Sequence, residues 1–306
     1  MSSSLFLLFT LLVVASAAAA SSSSQRPLAF APPRSSRSKA STSSLAAAQG
    51  LYHKFAEHCW SELGSTGWLQ NVELKEEFSQ NVSPAKGFPE GTVVKMTTRA
   101  MVPNESSSSP TSNKNLVKYA RYALLETIHE SIEGVQSKGI QVLNFVVLPS
   151  DDTNLPVLGI DLVSLPGDKH LLLLDAQPMV TPNPYDSIWK EWHSKHVTDD
   201  FPWGGDIPEA VAKYVSPNAL WTRLSGDEGV DLIQTKIYDA FQEHISLYLK
   251  LLKDSETDDS IKGDNDQPNY IDYRRNDDPA APMLKVLYGK EWTAQVLEEV
   301  LFPSQL

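Results

Sequence analysis

Residues 140–176, IQVLNFVVLPSDDTNLPVLGIDLVSLPGDKHLLLLDA, hold three apolar runs separated by turn-forming residues. The runs at 140–149, 156–165 and 170–176 read as strands. Their connections are short, and parallel strands need a long crossover, so the three pair antiparallel. Upstream, the β-branched stretch TVVKMTTRAMV at 92–102 adds another strand, while the stretch at 115–131 fits either a helix or a strand. Residues 45–64 predict an amphipathic helix with Leu51, Phe55, Cys59 and Leu63 on its apolar side. After Pro184 helical patterns cover 185–198, 206–214, 228–253 and 280–300, interrupted by a strand-like or irregular piece near Ala219–Leu224. Residues 103–113 and 254–268 read as polar loops. Strands first and helices later give an α+β fold, a sheet with helices packed over it.

The chain has 306 residues, with 26 Lys and Arg against 38 Asp and Glu. The first 49 residues carry four cations and no acid, which leaves the other 257 at a net charge of −16. Such an acidic body excludes nucleic acid as the main partner, because phosphate binding needs a basic excess. Hydrophobic residues are 41% of the chain, enough for a sizeable core. A lone cysteine, Cys59, rules out an internal disulfide and a Cys-rich metal site; its place on the apolar side of the first helix makes it a core residue.

Residues 5–19, LFLLFTLLVVASAAA, have the length and small-residue ending of a signal-peptide core, short of the roughly 20 residues a membrane span needs. Residues 21–48 are rich in Ser, Ala and Arg, the composition of a transit peptide. The expected organisation is a signal peptide at 1–20, a plastid transit peptide at 21–48 and a single domain at 49–306. It implies import into a complex plastid and no membrane segment in the mature form. Secretion with a Ser-rich spacer is the alternative, which the single cysteine disfavours.

The common cofactor and hydrolase signatures (GxGxxG, GxxxxGK[ST], HExxH, CxxC, GxSxG) are missing. His193 and His196 form an HxxH that reads as a solvated helix face more readily than a metal site. His129, His170 and His244 read as surface or half-buried side chains. Two polar residues interrupt apolar strands: Asn144 in IQVLNFVVLP and Asp161 in PVLGIDLVSL. They face either solvent or a ligand cavity. In a cavity, desolvation would raise the Asp161 pKa; a rise from ~4 to ~7 corresponds to about 4 kcal/mol. YRRNDDP at 273–279 places Asp278 before a proline, either as a helix stop with exposed charges or as part of a site.

Six strings in order carry a resemblance: QVLNFVV with LPVLGIDLVSLPG, LDAQPM, FPWGG at Phe201–Gly205, SPNALWTRL at Ser216–Leu224, YRRNDDPAAPML, and YGKEW with LFP. Together, from about residue 80 to 303, they resemble the ferredoxin-dependent bilin reductases. The resemblance implies an α/β/α sandwich with a central antiparallel sheet flanked by helices, the bilin lying between sheet and C-terminal helices. It implies no bound cofactor, with reduced plant-type [2Fe-2S] ferredoxin as external donor of single electrons and side chains as proton donors. Carried over residue by residue, Asp161 and Asp278 match the catalytic aspartates, while Asn144 and Arg274 match substrate-binding positions. Arg223 is a further substrate-binding candidate, because Ala281 stands where relatives often have Arg. Members making phycocyanobilin carry His at the position of Asn144. The Asn144/Asp161 pair instead resembles the phycoerythrobilin-pathway members, which implies reduction of 15,16-dihydrobiliverdin to phycoerythrobilin. Alternatives are reduction of biliverdin to 15,16-dihydrobiliverdin, both steps together, or a non-catalytic bilin carrier. The expected partners are ferredoxin, the bilin, and an upstream bilin reductase that hands the substrate over. Plant-type ferredoxin is itself acidic, so docking on this acidic body calls for a local basic patch, from Lys86, Lys95 and Lys118 or from Lys250, Lys253, Lys285 and Lys290.

Overall fold

The computed structural model describes residues 48–105, 116–207, 209–255 and 265–304. In chain order the elements begin with β1 (Gln49–Gly50), α1 (His53–Ser65), β2 (Leu69–Asn71), α2 (Glu76–Ser79), β3 (Gln80–Pro84) and β4 (Thr92–Pro103). There follow β5 (Val117–His129), β6 (Val135–Gln136), β7 (Gln141–Pro149), β8 (Val157–Leu165) and β9 (Lys169–Gln177). Then come α3 (Asp186–His196), α4 (Glu209–Ala212), β10 (Leu220–Ser225) and α5 (Gly226–Leu232), which runs through a π-helical segment, Ile233–Ile237, into α6 (Tyr238–Asp254). The described chain closes with α7 (Gln267–Asp277), α8 (Ala281–Tyr288), α9 (Lys290–Val296) and a second π-helical segment, Leu297–Leu301.

One antiparallel sheet organises these elements in the order β10-β9-β8-β7-β5-β4, with β2 and β3 both pairing along the outer side of β4. Side chains alternate across a strand. Leu143, Phe145 and Val147 of β7, Ile160 and Leu162 of β8, and Leu172 and Leu174 of β9 therefore share one face. They pack under Phe55, Trp189, Trp192 and Phe241 from α1, α3 and α6. The opposite face, with Val142, Val146 and Leu148 of β7, packs under Tyr270, Leu284 and Val296 from the C-terminal helices and under Phe302 just beyond them. The result is the expected α/β/α sandwich around an antiparallel sheet, an α+β fold.

Several expectations change. The ambiguous stretch 115–131 contains the strand β5, buried on both faces. The first helix starts at His53, after the short strand β1, rather than near residue 45. The expected helix 206–214 shrinks to Glu209–Ala212. The expected helix 280–300 breaks at Gly289, whose φ of 91° suits glycine. Helix α7 takes in the last two residues of the expected loop 254–268 and runs on to Asp277. His170 and His244 are not surface residues: they are 2% and 1% exposed. His170 Nδ1 shares a hydrogen bond with Ser164 Oγ, and His244 sits between Trp189 and Trp192. Cys59 is core, as expected. The presequence at 1–20 and 21–48 lies outside the described residues except for residue 48, and so do the loop beyond Glu105 and most of 254–268.

Candidate active site

A cavity of about 280 Å³ opens between β7–β10 and the helices α7 and α8. Val163, Leu171 and Leu173 face it from the sheet, and Pro282, Met283 and Leu284 from α8. Its polar lining includes Asn144, Asp161, Gln177, Arg223, Arg274 and Asp278. All five residues singled out in the sequence therefore meet at one hollow.

Asn144 and Asp161 are direct cross-strand partners in β7 and β8, so the pleat turns both side chains to the same face. That face is the cavity side, not open solvent. Asn144 Nδ2 donates to Asp161 Oδ1 at 2.5 Å. Burial raises the pKa of the Asp161 carboxyl. Arg274, the Asn144 amide and Arg121 pull it back, while Asp278 pushes the same way as burial.

Asp278 caps the C-terminal end of α7 and is 5% exposed. Arg274, one turn earlier, donates from Nε to Asp278 Oδ2 at 2.9 Å. The Ala280 N–H donates to Asp278 Oδ1 at 2.7 Å, and the Ala281 N–H to the Asp278 carbonyl at 3.0 Å, so the Asp-Pro turn is built around this carboxylate. Arg274 Nη1 also donates to the Tyr270 hydroxyl at 3.1 Å. Burial works against the Arg274 charge, but Asp278, Tyr270 and Asp161 more than offset it, so the guanidinium holds its proton above its ordinary value. The sequence alternative of exposed charges after a helix stop is thereby corrected: Arg274 and Asp278 are a buried ion pair.

Arg223 reaches the cavity from β10, in an exposed position at the rim. The FPWGG loop lies along this strand. Trp221 Nε1 donates to the Gly205 carbonyl at 2.8 Å, and a Cβ on Gly204 would stand 2.6 Å from the Trp221 ring. Glycine there lets the backbone approach the aromatic that flanks Arg223.

Sequence reading missed Arg121 and Gln177. Arg121 is 0% exposed, and its Nη1 donates to the side-chain oxygen of Asn144. Gln177 lines the cavity, with Oε1 buried and unpartnered among the described residues. A charged residue in a strand reads as solvent-facing, so no sequence signal marked Arg121; Gln177 lay within the LDAQPM string.

The candidate lysines are divided between the two sides of the sheet. Lys118 is bound to Asp151 at 2.7 Å, and Lys95 acts on His53, across the sheet from the cavity. Lys250 and Lys253 lie on α6, with the sheet between them and Lys285 and Lys290 of α8 and α9. Of the HxxH pair, His196 Nε2 meets Glu243 Oε2 at 3.1 Å. Among the described residues no group of three His, Cys, Asp or Glu side chains is placed to hold a metal ion, and no helix is long and apolar enough to cross a membrane.

Comparison with known proteins gives the same direction. The family model described as ferredoxin-dependent bilin reductase matches residues 129–303. A phycoerythrobilin:ferredoxin oxidoreductase of Prochlorococcus marinus subsp. pastoris is 40% identical over 181 residues, covering 56% of this chain and 69% of that protein. A protein of the same name from a Synechococcus strain is 41% identical over 174 residues, covering 53% of this chain and 65% of that protein. Among solved structures, tomato phytochromobilin synthase in complex with biliverdin superposes with a TM-score of 0.63 at 21% identity, covering 82% of both chains, a likeness of fold. A family match over more than half the chain, together with relatives near 40% identity, makes this protein a member of the ferredoxin-dependent bilin reductases, oxidoreductases whose family implies a bilin substrate and ferredoxin as external electron donor.

Proposed function

We propose that the chain reduces 15,16-dihydrobiliverdin to phycoerythrobilin, with Asp161 and Asp278 as the proton donors. The observation that carries this reading is the pair of carboxyls on opposing walls of one aliphatic cavity, Asp161 on the sheet and Asp278 beside the C-terminal helices. The names of the relatives support phycoerythrobilin as product.

The step consumes two electrons, one from each of two reduced ferredoxins, and two protons. A bilin radical stands between the electron transfers, and the aliphatic walls keep water from it. Burial raises the pKa of Asp161, so this carboxyl can hold a proton for transfer at higher pH than an exposed aspartate. Arg274 holds Asp278 against the cavity by its ion pair, and Arg223 at the rim suits a propionate of the pigment. Asn144 is a polar contact beside the pyrrole nitrogens.

Anaerobic incubation with reduced ferredoxin and either 15,16-dihydrobiliverdin or biliverdin, followed by product chromatography, tests the reading. Phycoerythrobilin is expected from the first substrate and no reduction of the second. Conversion of biliverdin would favour the earlier step or both steps; binding of either bilin without turnover would favour a carrier. Asp161→Asn and Asp278→Asn are each expected to slow product formation at least about 100-fold with bilin affinity nearly intact. Parental rates in both would overturn the proton-donor assignment. We further propose import into a complex plastid through residues 1–20 and 21–48, and receipt of the substrate from an upstream bilin reductase. Fluorescent fusions with and without these segments test the import.

A further inference from the structure

Arg121 is a buried cation whose hydrogen-bond acceptors are all neutral. Nε donates to the Leu301 carbonyl at 3.1 Å, Nη1 to the Asn144 carbonyl at 3.0 Å and to Asn144 Oδ1, while Nη2 is buried without a partner among the described residues. Keeping a guanidinium in such a place is costly. Burial, with Arg274 nearby, lowers its pKa to about 10, still well above neutral.

A guanidinium only donates, so the end of the Asn144 amide that faces it must be the oxygen. The amide's other end, Nδ2, then faces Asp161 and donates to Oδ1. An amide turned the other way would offer oxygen to Asp161 and draw the carboxyl proton into a closed carboxyl–amide hydrogen bond.

We infer that Arg121 is a positioning residue of the reduction: by holding Asn144 Oδ1 it fixes the amide so that the transferable proton of Asp161 sits on Oδ2. The inference rests on the reading of Asp161 as a proton donor. The other charged groups acting on Asp161 are Arg274 and Asp278, from α7 and its C-terminal cap, and Asp161 in turn acts on the Tyr270 hydroxyl of α7.

The test measures kcat, bilin Kd, melting temperature and the pH profile of ferredoxin-driven turnover in Arg121→Met and Arg121→Lys. Each variant is made alone and in an Asn144→Ala background, with Asp161→Asn as control. Arg121→Met is expected to lower kcat about tenfold with Kd within about threefold. Asp161 would have lost a nearby cation, so the alkaline limb, where it gives up its proton, should move to higher pH. In the Asn144→Ala background the same substitution should cost almost nothing in kcat, since the link it acts through is gone. Arg121→Lys keeps the charge but not the fork, and should lose about fivefold in kcat with the limb unmoved. An equal loss in the Asn144→Ala background would mark a merely structural role and overturn the inference. So would an unchanged rate and limb in Arg121→Met while Asp161→Asn is inactive. Should Arg121→Met fail to fold, a parental kcat in Arg121→Lys overturns it. A parental rate in Asp161→Asn overturns the proton-donor reading, and this inference with it.

Discussion

On β8, Ile160 and Leu162 turn to one side of the sheet and are fully buried there, whereas Asp161 between them turns to the other side and lines the cavity. The same contrast runs through β7, with Leu143 and Phe145 against Asn144, and through β9, with Leu172 and Leu174 against Leu171 and Leu173. The first side is filled by large rings, among them Trp189, Trp192, Phe55 and Phe241. On the second side α8 contributes Pro282, Met283 and Leu284 around an open space. One face can thus supply much of the packing energy while the other stays partly empty for a ligand. A shift of one residue decides which task a side chain serves.

Moving the carboxyl by one residue breaks this contrast most severely. Leu162→Asp puts a charge among the rings and is expected to cost more than about 4 kcal/mol, enough to unfold many domains. Asp161→Asn, its neighbour, should change stability by less than about 1 kcal/mol. Urea unfolding checks both, and similar losses would erase the difference between the faces. Next in size, Trp189→Ala is expected to cost about 3–5 kcal/mol with bilin affinity unchanged; a parallel loss of affinity would mean the filled face shapes the cavity as well.

The smallest effect sharpens the contrast through pH. Burial between the two tryptophans lowers the His244 pKa from 6.5 to about 3. Its contribution to stability is complete above pH 6.5 and is lost as pH falls toward 3, because the unfolded chain takes up the proton first. His244→Phe should flatten that part of the stability curve, measured by equilibrium unfolding at pH 8, 6 and 4.5. An unchanged slope would show that His244 is not the group responsible.

The sequence made the β7–β9 strands legible because their apolar runs are short and bounded by turn residues. β5 stayed ambiguous for a physical reason: buried on both faces, it has no alternation of polar and apolar residues. Helix α7 was hidden because one of its buried positions is Arg274, which breaks the apolar period. Asn144 and Asp161 stood out as polar interruptions, but their facing each other depends on strand register, which the spacing alone does not give. Asp278 and Arg274 were found through resemblance, and nothing in their local pattern marks a buried ion pair. Arg121 went unseen because its acceptors are mostly backbone oxygens, among them one 180 residues away.

The end of the described chain is tied down by its carbonyls. The Tyr119 hydroxyl donates to Val300 O at 2.6 Å, Arg121 to Leu301 O, and Arg275 to Phe302 O and Pro303 O at 3.0 and 3.1 Å. Such anchoring reads spacing rather than side-chain identity. Many substitutions over these four residues would leave the anchors in place, yet inserting or deleting a single residue would slide every oxygen past its donor and disturb the acid–base centre from a stretch that bears no ionisable group.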